Sequence, residues 1–203
     1  MTKQKILIVS SKLFFESGIA NVRLQQIADS ANISVGNLAY HFKNKEAIVT
    51  SIYNQVFIEM YKLVENPFEQ NDLSDFDKSI KAIYKFNDTY SFCFNNVWEI
   101  SRNYPHLQQE WQTISTGILQ QIQKRLVFFV KKGLVHSEPY KGAHKILSQQ
   151  LLLNFFCWVP HHQVHGRTAT LQSSKKSSWA LIFPYFTPQG IVGIINALPA
   201  FPR

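Results

Sequence analysis

The sequence is short of the residues that break helices and of those that staple small folds. Its 203 residues include only 8 Gly, 8 Pro and 2 Cys. Cys93 and Cys157 are too few and too far apart for a disulfide framework or a cysteine-based zinc site, and they fit a reducing cytosol. Long apolar runs are missing as well. The most apolar stretch, Leu151 to Val159, is interrupted by Asn154 and followed by Pro160, whereas a membrane-spanning helix takes roughly 20 predominantly apolar residues. The N-terminus starts like a secretory leader, but its apolar residues recur at helical spacing. Acidic residues are scarce relative to basic ones, 13 against 21 Lys and Arg, which leaves a net charge of +8. That balance points to polyanionic partners and is silent on fold. With 45% hydrophobic and 14% aromatic residues, the chain has the means to bury a core, which excludes a disordered basic tail. The expectation is a soluble cytoplasmic protein with no membrane partner.

What is present is helical periodicity. Ile6, Val9, Leu13 and Phe14 share one face of a first helix that Gly18 stops. Leu24, Ile27, Ala28 and Ala31 recur at i, i+3, i+4, i+7 in a short second helix, and Asn32 suits a left-handed end. Ser34 is placed to cap a third helix with Val35, Leu38 and Phe42 inside. Asn44 is placed to cap a fourth, with the stripe Ile48, Ile52, Val56, Met60 and Leu63, ended by Pro67. Further on, Ser74 is expected to open a helix with Asp75 and Asp77 in its first turn. An aromatic-rich helix spans Phe92 to Asn103 and a long amphipathic one His106 to Lys132, with Gly133 just beyond its end. Lys141 to Trp158 is apolar nearly all round, and Pro160 is expected to kink or end it. Gly166 to Ser178 reads as a polar loop. Thr187-Pro188 is a cap followed by Pro at the first helical position, opening a last helix to about Leu198. The fold class is all-α, with no internal repeat, strand alternation or nucleotide-binding loop.

Residues 24 to 42 lay out a helix, a short break and a second short helix, which is a helix-turn-helix. The outer positions of the second helix, Asn37, Ala39, Tyr40 and His41, are small or hydrogen-bonding and suit a major groove about 12 Å wide. Gly36 in its first turn lets the backbone lie close to a partner. Arg23, Gln25, Lys43 and Lys45 flank it as phosphate donors.

Ile27-Ala28, Ala31-Asn32-Ile33-Ser34 and, above all, the run from Gly36-Asn37-Leu38 through His41-Phe42-Lys43-Asn44-Lys45-Glu46 resemble the DNA-binding head of the tetracycline-repressor (TetR/AcrR) family of bacterial regulators. The resemblance covers residues 5 to 48. It implies a three-helix head over 1–49 and a larger helical ligand-binding and dimerisation domain over 50–203. It further implies that Val35, Asn37 and Tyr40 meet base edges while Ser34, Gln25, His41, Lys45 and Arg23 meet the backbone. Two positions depart from the family pattern. Arg23 stands where Thr or Ser usually caps the second helix, so the cap falls to Asn21 or is missing. Ala39 stands where a Tyr usually touches a phosphate.

By resemblance, the remainder dimerises and binds a small molecule, which makes the protein a ligand-responsive regulator, most simply a repressor, of a near-palindromic operator. The apolar excess in 145–158 and in Ile191 to Leu198 independently favours a helix–helix interface in a homodimer. Two-fold pairing would set the recognition helices about 34–36 Å apart. Phe92, Phe94, Trp98, Trp111, Phe128 and Phe155 are the candidate walls of a pocket for a flat or lipid-like, largely apolar effector. Such an effector would act by favouring a conformation in which the fourth helix swings the heads out of register.

Rival readings are a helical interaction or small-molecule-binding protein that has lost DNA binding, and a metal-dependent enzyme using His161, His162 and His165. No acidic residue lies near that histidine cluster, and no nucleophile has an identifiable base, so no catalytic residue, metal or cofactor is expected. The charge is unevenly spread. Residues 1–62 hold seven basic against four acidic side chains (+3), 63–125 six against eight (−2), and 126–203 eight against one (+7). Most of the basic excess therefore lies outside the head, and the C-terminal share is expected to be a solvated surface.

Overall fold

The computed structural model of the chain describes residues 2–65 and 72–197. They form α1 (Thr2–Ser17), α2 (Leu24–Ala31), α3 (Val35–His41), α4 (Lys45–Glu65), α5 (Leu73–Thr89), α6 (Ser91–Asn95), α7 (Val97–Asn103), α8 (Pro105–Lys131), α9 (Ala143–Val164), α10 (Leu171–Ile182) and α11 (Pro188–Ala197), with a 3-10 turn at Phe183–Tyr185. Among the described residues there is no strand, only an isolated antiparallel bridge between Val135 and Phe186. The protein is all-α. No described helix is long and apolar enough to cross a membrane.

The chain divides into two compact units, Met1–Met60 with Tyr90–Gln112, and Tyr61–Thr89 with Thr113–Arg203. In the first, Ile6, Leu7 and Phe14 of α1, Ile27, Ala28 and Ala31 of α2, Leu38 of α3 and Ile48, Val49 and Ile52 of α4 are buried together. This unit reaches beyond residue 49 and takes in α6 and α7, for reasons visible at single bonds. Tyr53 Oη donates to the Cys93 carbonyl at 3.3 Å, and burial pushes the Tyr53 phenol far above its usual pKa, so it stays a neutral donor. Asn96 Nδ2 donates to the Phe14 carbonyl at 3.5 Å, and Trp111 stands edge-on to Phe57 at 6.3 Å.

In the second unit, α5 packs against α9, α10 and α11. Phe76 is buried edge-on between Trp179, at 5.0 Å, and Phe129, at 6.2 Å. Beside it the Asp77 carboxylate accepts from Trp179 Nε1 at 3.1 Å and pairs with Lys175. Asp77 thus lies inside the structure because both oxygens are satisfied. The start of α11 lies on the turn after α8: Thr187 Oγ1 donates to the Gly133 carbonyl at 2.6 Å and accepts the Gly190 amide at 3.0 Å. A Cβ on Gly190 would stand 2.0 Å from the Leu134 carbonyl oxygen, so only glycine permits this approach.

Several elements differ from the sequence reading. Val35 is 37% exposed, not inside; its spacing places it on the Leu38 side, but at the first position of α3 it stands at the edge of that stripe and is only partly covered. The cap of α5 is Asp72, whose Oδ1 accepts the Asp75 amide at 2.8 Å, in place of Ser74. The segment Phe92 to Asn103 is two helices, broken at Asn96. Pro160 does not end α9, which continues to Val164. Proline withdraws one amide from the ladder, and His162 Nδ1, bonded to the Trp158 carbonyl at 2.9 Å, adds a bond in that turn. Most of Gly166 to Ser178 is helical, because Thr170 and Ser173 form a capping box at the start of α10. Ser174 and Ser178 sit inside, and Ser178 Oγ donates to the Ser174 carbonyl at 2.9 Å. Small hydroxyls bonded within the helix read as polar loop in a sequence. The expected helix ends at Pro67 and Leu198 lie outside the described residues.

The basic C-terminal third is correspondingly not all solvated surface, since Lys175 is held by Asp77 while its neighbour Lys176 is exposed. Replacing Asp77 by Ala strands the lysine and the indole N–H, and should cost about 3 kcal/mol. Lys176→Ala should stay within about 0.5 kcal/mol of the parent. Urea denaturation of the two variants measures the difference directly.

Candidate nucleic-acid interface

The N-cap residue of α2 is Arg23, whose backbone is extended (φ −98°, ψ 152°). No side chain caps it in the usual way. Gln26 Oε1 instead reaches back to accept the Arg23 amide at 2.7 Å, half of a capping box. Asn21 is not the cap, because its Nδ2 donates to the Ser17 carbonyl at 2.8 Å. The Arg23 side chain is exposed, with its guanidinium fork open to a phosphate. Gln25 is exposed too and donates to Asp29 Oδ1 at 2.7 Å.

The turn after α2 is closed by Asn32 in the left-handed region (φ 54°), and the Ile33 amide returns to the Ala28 carbonyl at 3.0 Å. Ser34 then caps α3, its Oγ accepting the Asn37 amide at 3.1 Å. Leu38 is fully buried and Phe42 nearly so, which fixes the rotation of α3 about its axis. Ser34, Val35, Gly36, Asn37, Ala39 and Tyr40 are left exposed, Tyr40 at 86%. His41 is half-buried and stands edge-on to Tyr40 at 5.2 Å. Seven of the nine residues expected to meet DNA are thus exposed around α3 and the start of α2, and His41 borders them.

Lys45 behaves differently. Its Nζ donates to the carbonyls of Ile19, Ala20 and Val22 at 2.8, 3.1 and 3.0 Å. Nothing in the sequence signalled these bonds, because they join residues 23 to 26 positions apart. Lys43, two residues earlier, is exposed. The α4 cap is Asn44, accepting the Ala47 amide at 2.9 Å.

Residues 6–52 match the family model for bacterial regulatory proteins of the tetR family. Residues 58–191, more than half of the chain, match the model described as a bacterial transcriptional repressor. The chain belongs to the TetR family of transcriptional regulators. It is similar to the Staphylococcus aureus negative regulator of the biofilm operon icaADBC, IcaR, with 32% identity over 121 residues, 60% of this chain and 61% of that one. The fold matches a TetR-family regulator from Marinobacter aquaeolei with a TM-score of 0.82, 23% identity and full coverage of both chains. It also matches SmeT, described as the repressor of the Stenotrophomonas maltophilia efflux pump SmeDEF (TM-score 0.66, 18% identity, 95% and 94% coverage), which has been solved with triclosan as well. These family members and neighbours are described as transcriptional regulators or repressors.

The candidate effector residues of this TetR-family chain are shared between the two units. Phe94, half-buried, stands edge-on to Trp111 at 5.6 Å, while Trp98 in the same unit is 77% exposed and walls nothing. Phe128 and Phe155 belong to the other unit. Phe155 is buried with its carbonyl bonded to Asn87 Nδ2. Phe128 borders an open groove of about 530 Å³ with Gln120, Gln123, Lys124, Val127 and Lys131. The side chain of Phe92 lies outside the described residues. His161 on α9 and His165 at its C-cap have rings 4.7 Å apart, but among the described residues no three His, Cys, Asp or Glu converge as a metal site.

The exposed face of α3 makes a specific forecast. Asn37→Ala should weaken specific DNA binding by about 1–3 kcal/mol, the discrimination of one bidentate side chain, and leave non-specific binding nearly unchanged. Arg23→Gln should weaken both and reduce the slope of log K against log salt by about 0.9. Fluorescence anisotropy titrations at several salt concentrations check both.

Proposed function

We propose that this TetR-family regulator is a repressor that binds a near-palindromic operator as a homodimer and is released by a small, largely apolar effector. The observation that carries the reading is the exposed face of α3. Gly36 admits close approach, Asn37 and Tyr40 offer base-reading groups, and Arg23 and Lys43 are exposed on either side to meet phosphates. Buried Leu38 and Phe42 hold that face outward. In this reading residues 1–49 read DNA and 50–203 sense the effector and pair the subunits. The repressor sign rests on IcaR, described as a negative regulator. The apolar effector rests on SmeT with triclosan and on the aromatic side chains of the middle helices.

Dimerisation rests on the outer side of α9. Ile146, Leu153 and Val164 are 44%, 61% and 85% exposed, at spacings of seven and eleven that share one helical face. Phe183, just after α10, adds 42% exposure. Bare apolar side chains along one helix are what a partner helix covers. Pairing two such faces by a two-fold axis would present two copies of α3 to successive major grooves. The effector would act through differential affinity, holding more tightly a conformation whose two α3 helices no longer match that spacing.

Two measurements test the reading. A duplex spanning the region upstream of the protein's own gene should be retarded by the protein at about 50 mM salt, where phosphate contacts are strongest; absence of retardation there overturns the assignment to DNA. Leu153→Glu should shift the protein from dimer to monomer in sedimentation velocity, and should weaken operator binding at least tenfold because each head then binds alone. An intact dimer with Glu at 153 would place the interface elsewhere.

A further inference from the structure

We infer that Lys45 is a positioning residue that locks the entry of α2 to the start of α4, and that it does not contact DNA itself. The inference rests on the DNA-binding reading above. An ammonium has three donors and no acceptor. All three are directed at backbone carbonyls of one turn, those of Ile19, Ala20 and Val22, at 2.8, 3.1 and 3.0 Å. That turn follows Gly18, whose φ of +75° reverses the chain after α1, and it ends at Arg23, where α2 begins. The side chains of Ile19 and Val22 are each 1% exposed. The turn therefore buries its apolar groups beneath it and gathers its carbonyls around the Lys45 cation.

Lys45 itself is the first residue of α4, four positions after α3 ends at His41. One side chain thus ties the segment entering the helix-turn-helix to the segment leaving it. With the ends of α2–α3 held in register, the exposed residues Arg23, Asn37 and Tyr40 are presented as one surface. Withdrawing the ammonium toward a phosphate would give up all three of these bonds for one phosphate contact. Lys43, exposed and two residues earlier, remains with Arg23 to meet the backbone of DNA.

The two roles are separated by Lys45→Arg. Arginine keeps the charge, but its planar fork does not converge on three carbonyls as a compact ammonium does. A phosphate contact would survive that change, whereas a clamp does not. The full-length protein and its Lys45→Met and Lys45→Arg variants are titrated against the duplex upstream of its own gene and against a random-sequence duplex of equal length. The titrations are repeated over a series of salt concentrations. Both variants are expected to lose about tenfold in the ratio of specific to random affinity, the discrimination that one misread base pair supplies, with the salt slope unchanged. Loss of global stability alone would lower both affinities together and leave the ratio intact. Hydrogen exchange of amides 18–31 should also quicken in both variants. Wild-type behaviour of Lys45→Arg, or a salt slope reduced by about 0.9 in Lys45→Met, overturns the clamp. If the wild-type protein binds neither duplex, the DNA reading fails while the exchange measurement still decides the clamp: unchanged exchange at 18–31 overturns it, and faster exchange upholds it.

Discussion

Helix α3 has seven residues, under two turns, and a helix of that length is not stable alone in water. It exists here because Leu38 is fully buried and Phe42 is 4% exposed. Two anchors four residues apart fix both the helical state and the rotation of the segment. Ser34 at one end and the Phe42 amide, bonded to the Leu38 carbonyl at 2.9 Å, close the backbone account. Every functional statement about the exposed side depends on this burial. If α3 turned by a third of a revolution, Asn37 and Tyr40 would be in the core and Leu38 in solvent.

In the second unit, charged side chains that come inside do so with partners. Asp77 is shared between Lys175 and Trp179, and Arg125 reaches Ser79 Oγ at 3.4 Å while burial lowers its pKa. Such groups add direction to a core otherwise built from Phe76, Phe129, Leu151 and Phe155. A desolvated ion pair adds little net stability compared with apolar packing, but breaking it is expensive. The apolar residues left outside on α9 are a separate population from this core, which is why a partner helix, and not more folding, is the natural cover for them.

The parts of the fold that could be read from the sequence share one property: their signal lies within a turn or two of the chain. The Asn32 turn, the Ser34 and Asn44 caps, the Thr187-Pro188 start of α11 and the apolar stripe of α4 all stand as their local chemistry requires. Other readings left alternatives that only the structure resolves. Pro160 was expected to kink or end its helix, and α9 runs on through it to Val164. The serines of α10 resemble a loop until Ser174 and Ser178 are seen to lie inside the unit. Among the aromatic residues between 92 and 155, residue type does not distinguish Trp98, which is 77% exposed, from Phe155, which is buried.

The sequence by itself determined that the chain is helical, that residues 24 to 42 form a helix-turn-helix, and that the run from Gly36 to Glu46 carries the family's DNA-binding pattern. The first two follow from periodicity, capping and residue type, which act over a few neighbouring residues; the third is a resemblance carried by the residues of that run. Tertiary structure alone decided that Val35 lies exposed, which cations remain exposed, and that Lys45 directs its donors at a turn 23 to 26 residues away. The physical reason is that a hydrogen bond or a buried contact is set by where the chain returns in space. A lysine near a recognition helix looks the same in one dimension whether it meets a phosphate or three carbonyls.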